Sequence, residues 1–199
     1  MKLRNIFTLL FSLSLIFQNL IPSATAEGTS PKAEIEQTIN DIIKTVATTP
    51  DASVSPVRRQ KLRELINPKF NFAEMSKRSL GPNWNEITAA EQAEFTEVFS
   101  ELLARTYLSK IETVKPGMVK VESENVEPPK AVVKTIVISK GDTFPIDYKL
   151  IQKDGGSWQV YDVVIENIGL VANYRNEFSG IIRKDNFSGL MEKLRAKVH

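Results

Sequence analysis

Apolar positions recur at helical spacing through the first half of the chain, and the pattern then changes to that of strands. Ile35, Ile39, Ile42 and Val46 form a stripe behind Ser30-Pro31, which reads as an N-cap with proline at the first helical position. A polar connection over 50–56 leads to a second helix over 57–66, ended by Asn67-Pro68. A short third helix over 72–80 closes at Gly81-Pro82. Thr88 and Glu91 have the spacing of a capping box and open the longest helix, which runs to about Val114 before Pro116-Gly117. Its apolar positions include Phe95, Phe99, Leu102, Leu103, Tyr107 and Ile111.

Four strands follow, over 118–126, 131–139, 143–152 and 158–165, separated by Pro128-Pro129, Gly141-Asp142 and Asp154-Gly155-Gly156. Links this short predict an antiparallel meander. Symmetric turns would place Val133, Val137, Ile146, Tyr148, Leu150, Tyr161, Val163 and Ile165 on one apolar face. Lys134, Asp147, Lys149 and Asp162 would then fall on the other. After Ile165 the period changes again. Leu170, Tyr174, Phe178 and Ile181 trace one helix face that can fold back over the sheet, and two helices, 170–183 and 187–197, close the chain. The expected architecture is α+β: a curved antiparallel four-stranded sheet packed against several helices.

The N-terminus reads as an export signal. Lys2 and Arg4 precede an apolar run from Ile6 to Phe17, and Ala24-Thr25-Ala26 is a cleavage site, which predicts a leader over 1–26 and a mature domain over 27–199. The apolar run is short for a spanning helix, which needs about 20 residues. Loss of Lys2 and Arg4 lowers the 26 basic residues to the number of acidic ones, 24, so the mature chain is formally neutral. That balance gives no footprint for nucleic acid. The absence of cysteine rules out disulfides and a lipid-modified N-terminal cysteine, so stability must come from burial.

The candidate chemistry is sparse. His199, at the chain end, is the only histidine, so histidine-based triads and zinc sites lack their central group. Asp147 and Asp162 fall opposite each other in the expected register. They are either a proton-sharing pair or a wet, lysine-flanked surface feature. Tyr148, Tyr161, Tyr174 and Arg175 are open to two readings, a headgroup site or core tyrosines beside a surface arginine.

The run from Trp158 to Phe178, W-Q-V-Y-D-V-V-I-E-N-I-G-L-V-A-N-Y-R-N-E-F, resembles the C-terminal signature of the MlaC family, also called the toluene-tolerance or Ttg2-type family. That signature reads roughly W-x-V-Y-D-V-x-I-E-G-V-S-L-V-x-N-Y-R-x-Q-F. Asn167, Ile168 and Gly169 replace its G-V-S, and Glu177 replaces its Gln. F-N-F-A-E-M-S-K-R-S-L-G-P-N-W from Phe70 and the Thr88 to Tyr107 segment are similar to two further family motifs, in the family's order.

The resemblance implies a periplasmic phospholipid carrier without a catalytic step or a cofactor, its cargo a diacyl phospholipid. The expected partners are an inner-membrane ABC transporter bearing an MCE-domain subunit and an outer-membrane lipoprotein complex, and the carrier is expected to be a monomer. It also implies an apolar pocket between helices and sheet. The residues expected to line it are Phe99, Leu102, Leu103, Tyr107, Val133, Val137, Ile146, Tyr148, Tyr161, Val163, Ile165, Leu170, Tyr174 and Phe178, with Arg175 at the mouth. Other readings remain open at this stage: a small NTF2-like enzyme using an aspartate, a periplasmic chaperone, or a carrier of a hopanoid-type cargo.

Overall fold

The computed structural model describes residues 29–48, 56–153 and 156–198. The expected leader and its cleavage site, most of the 50–56 connection, Asp154-Gly155 and His199 lie outside the described residues. The chain forms α1 (Pro31–Thr48), α2 (Pro56–Ile66), α3 (Phe72–Leu80) and α4 (Ala89–Ile111). It continues through β1 (Val119–Glu127), β2 (Lys130–Ser139), β3 (Asp142–Gln152), β4 (Trp158–Ile165) and β5 (Ile168–Gly169) into α5 (Leu170–Val198). The sheet is a five-stranded antiparallel meander in chain order. The expected four-stranded sheet is therefore corrected by one short strand. Ile165 and Ile168 pair across a two-residue turn, which adds two residues of ladder.

Local chemistry sets the boundaries. The Ala33 N–H donates to the Ser30 hydroxyl at 3.1 Å, the Glu74 N–H to the Asn71 side chain at 3.0 Å, and Thr88 and Glu91 complete the capping box. Two turns need left-handed backbone. Lys140 and Gly141 (φ 53° and 93°) join β2 to β3, and Glu166 and Asn167 (φ 49° and 68°) join β4 to β5. Asn167 stands where the family pattern has glycine, and asparagine is among the few residues that visit this region readily. Near the chain end, Asn186 (φ 54°, ψ −174°) breaks α5, and its side chain accepts from the Gly189 N–H at 3.2 Å. The two expected closing helices are thus the two parts of α5.

A bulge decides which side chains share a face of the sheet. Lys149 pairs with Asp162 but Leu150 pairs with Val160, so Tyr161 is the extra residue on β4. Val160 and Val163 consequently lie on the same face, with Ile146, Tyr148 and Leu150. Tyr161 is carried to the other side, where the Arg78 guanidinium lies 4.6 Å from its ring centroid. The assumption of symmetric turns put Tyr161 where Val160 belongs. The register of β3 and β4 also separates the two aspartates: Asp147 faces Val164 and Lys134, and Asp162 faces Lys149.

The apolar residues collect into two clusters. One lies among α3, α4 and α5 around Phe95, Phe99, Tyr174 and Phe178. The other joins α1 to the sheet through Ile35, Val133, Leu150, Trp158, Val160 and Val163. Leu170 of the α5 stripe stays with the sheet, but Tyr174 and Phe178 meet α4. Phe99 sits edge-on to Tyr174 and Phe178 at 5.1 and 5.5 Å, and Phe95 to Phe178 at 5.7 Å. Such pairs contribute about 0.5–1.5 kcal/mol each beyond area burial.

Asp162 fixes the corner from which α5 departs. The buried carboxylate accepts the Val171 N–H at 3.1 Å and pairs with Lys149 Nζ at 3.3 Å. Replacing Asp162 by Ala leaves the buried Val171 N–H without a partner, and should cost about 2–3 kcal/mol. Asn, which keeps an acceptor there, should cost about half as much. Urea unfolding of the two variants checks this; equal losses would show that the Val171 contact is unimportant.

Candidate functional site

The two clusters do not meet everywhere. α4 packs on α3 and α5 and more lightly on α2, and its C-terminal half stands opposite the sheet. Between them lies a cavity of about 580 Å³, within the roughly 300–1,000 Å³ range of small-molecule sites. Leu103, Tyr107, Leu108 and Ile111 of α4 form one wall, and Val137, Ile146, Tyr148, Val160, Val163 and Ile165 of the sheet form the other. Ile35, Ile39 and Ile42 of α1, with Phe70 and Met75, close the sides, and Leu170 lies where β5 passes into α5. The spacing of four and three residues that makes α1 amphipathic points its isoleucines into this space.

Charged groups stay at the edges and are mostly neutralised. Arg63 is held by both oxygens of Glu101, which raises its pKa and lowers that of Glu101. Lys69 lies 3.9 Å from Glu34. Lys110 and Glu166 are exposed at the rim. The only carboxylate lining the cavity, among the described residues, is that of Glu166. No cluster of three metal-ligating side chains occurs among the described residues, and no helix there is long and apolar enough to cross a membrane.

The model of the MlaC protein family matches residues 36–196. The chain belongs to the MlaC family. Members of this family are periplasmic, and membership points to a binding or transport protein and away from an enzyme. The solved structure of a phospholipid-binding protein from Ralstonia solanacearum, in complex with a phospholipid, is similar in fold. The TM-score is 0.78 at 24% identity, over 85% of this chain and 97% of that one. No curated protein matches the chain.

Within this MlaC-family fold, the residues expected to line a pocket divide into two groups. Leu103, Tyr107, Val137, Ile146, Tyr148, Val163, Ile165 and Leu170 line the cavity. Phe99, Leu102, Tyr174 and Phe178 do not; they belong to the helical cluster, because the α5 stripe packs on α4. Val133 is fully buried within the sheet cluster and has no cavity surface, and Tyr161 is turned outward by the bulge. Arg175 is not at the mouth. Its Nε donates to the Arg78 carbonyl at 2.6 Å, closing the C-terminal end of α3, and its stem lies beside Gly81. Gly81 has φ 57°, so a larger residue there would be strained. The α1 isoleucines and Val160 were absent from the expected lining. The α1 stripe was visible in the sequence; the bulge that turns Val160 inward was not.

Two tyrosines carry the largest shifts. Burial pushes both Tyr148 and Tyr174 up from an ordinary value near 10 to about 12. Tyr148 keeps some accessible surface, which it shows to the cavity, although the packing around it raises its pKa. The two facts agree because the surface it keeps is cavity wall, not outer surface. Raised pKa values mean that the folded state disfavours tyrosinate. The stability contributed is complete below pH 10 and is lost as the pH rises from about 10 through 12. Thermal unfolding across that window should show the loss, and Tyr148→Phe should make it smaller. An unchanged profile in that variant would place the Tyr148 hydroxyl in water.

Proposed function

We infer that the protein is a periplasmic phospholipid carrier that encloses acyl chains in the cavity between α4 and the sheet and moves lipid between the two membranes without a catalytic step. The observation that carries this reading is the apolar cavity itself, built from the part of α4 that stands away from the sheet. Family membership supports it, as does the neighbour of the same fold that was solved with a phospholipid bound. In this reading residues 1–26 direct export and are removed, and residues 27–199 act as one lipid-binding domain. The cargo is a diacyl phospholipid, and no cofactor is needed.

The energetics suit a carrier. Each buried methylene contributes about 0.8 kcal/mol, so a 16-carbon chain contributes on the order of 12 kcal/mol. Affinity on that scale requires apolar volume more than polar contacts. It also makes spontaneous release slow, so transfer requires partners that favour a state with lower affinity. An inner-membrane ABC transporter with an MCE-domain subunit and an outer-membrane lipoprotein complex would fill that role. The enzyme alternative finds little support. Asp162 is committed to Val171 and Lys149, and Asp147 is on the face away from the cavity.

Narrowing the cavity tests the reading. Val137→Trp and Leu103→Trp each place a large ring in space that acyl chains would occupy. Transfer of fluorescent phospholipid from donor to acceptor vesicles should fall at least about tenfold, the equivalent of roughly two methylenes of lost burial. The unfolding temperature should stay within a few degrees. Folded variants that transfer lipid at the unaltered rate would exclude the cavity as the lipid site.

A further inference from the structure

Tyr148 is the feature of the cavity that neither the fold nor acyl-chain burial explains. Most polar side chains at or beside its wall have a partner. The Thr38 hydroxyl donates to the Glu34 carbonyl at 2.7 Å, and the Thr113 hydroxyl to the Lys110 carbonyl at 2.7 Å. Tyr107 and Tyr174 hydrogen-bond to each other, while Arg63 and Lys69 face carboxylates. The Tyr148 hydroxyl has no hydrogen-bond partner among the described residues, and burial alone accounts for its shifted titration. A phenylalanine would supply the same apolar wall. An unpartnered hydroxyl in an apolar enclosure is costly, and such groups usually bond to protein, water or ligand.

The position of Tyr148 narrows the choice of ligand group. Tyr148 is directly opposite Val163 on β4. Val163 is three residues, roughly 10 Å of strand, in from Glu166 at the exposed rim. Tyr148 is thus set back along the strands from Glu166, which favours contact with the linkage region of a lipid whose chains point inward over contact with a headgroup left in water. The ligand group should also be neutral. The cations on the cavity wall nearest the interior, Arg63 and Lys69, already face Glu101 and Glu34, and Lys110 is at the rim. A buried phosphate or carboxylate beside Tyr148 would lack a counter-charge, which is strongly unfavourable.

Building on the carrier reading, we propose that the Tyr148 hydroxyl donates a hydrogen bond to an ester carbonyl oxygen of the bound lipid. The protein then recognises the acyl-ester linkage of its cargo, while the headgroup stays outside. This makes Tyr148 a specificity-determining residue and sets the depth to which the lipid is drawn in. Phospholipids whose chains are joined by ethers keep the same length and headgroup but lack the carbonyl. They should bind more weakly.

Competition between dipalmitoyl phosphatidylcholine and its dihexadecyl diether analogue, scored by native mass spectrometry of the delipidated protein, reads this directly. The unaltered protein should prefer the diester by about two- to tenfold, the range given by one net neutral hydrogen bond. In Tyr148→Phe the ratio should fall to about one, because the diester loses the hydrogen bond and its binding weakens toward that of the diether. Equal binding of the two lipids by the unaltered protein overturns the proposal, as does a preference that survives in Tyr148→Phe. Displacement of the diester by equimolar palmitate would put an anion at the hydroxyl and would also overturn it. Failure of the unaltered protein to bind either phospholipid would instead overturn the carrier reading beneath it. Should Tyr148→Phe not fold, the ratio for the unaltered protein still decides: a value near one contradicts the ester contact, and a clear preference supports it.

Discussion

Asp162 stands at the corner where the sheet turns into α5, and its two oxygens serve two elements. One accepts the Val171 N–H in the first turn of α5, and the other pairs with Lys149 on the neighbouring strand. A carboxylate at a helix N-terminus satisfies a donor that the helix cannot and favours the positive end of its dipole. The contact fixes where α5 begins and the direction in which it leaves. From there Tyr174 and Phe178 reach the aromatic side chains of α4. The closeness of Gly169, where an added Cβ would lie 3.2 Å from the Asp162 carboxylate, shows how little room the corner has.

This commitment of α5 to α4 divides the core. The helical cluster is closed by its own aromatic rings, and the sheet is left to find cover from α1. The C-terminal half of α4 then faces strands it does not touch closely, and the cavity is the space between. A protein interior normally closes such gaps, because each unfilled volume forfeits dispersion contacts. Here the walls are held apart by packing on either side: rings on the helical side and a hydrogen-bonded ladder on the other. A ligand that restores those contacts would stabilise the folded state by mass action.

The sequence made the local features legible. Caps at Ser30 and Thr88, the stop at Gly81-Pro82 and the order of the strands all depend on neighbours within a few residues, and the described structure contains them. Features set by distant contacts were hidden. Whether Tyr161 or Val160 faces inward depends on a one-residue bulge, which alternation cannot reveal. Periodicity identified the apolar stripe on α5 but could not say that its partner was α4. Arg175 was expected at the mouth, and the backbone carbonyl that holds it elsewhere is 97 residues away in sequence. Of the expected cavity residues, those that failed are mostly aromatic. Large rings suit a solid core as well as a pocket, and only tertiary packing distinguishes the two.

The space between α4 and the sheet is proposed to hold acyl chains. Native mass spectrometry of the protein, expressed with residues 1–26 and recovered from the cell envelope under conditions that retain bound lipid, tests it most directly. Acyl-chain binding in the cavity predicts adducts whose masses, after extraction, match diacyl phospholipid, and which are reduced when Val137 or Leu103 is replaced by Trp. Folded protein recovered without any lipid adduct, and remaining so after incubation with phospholipid vesicles, would contradict it.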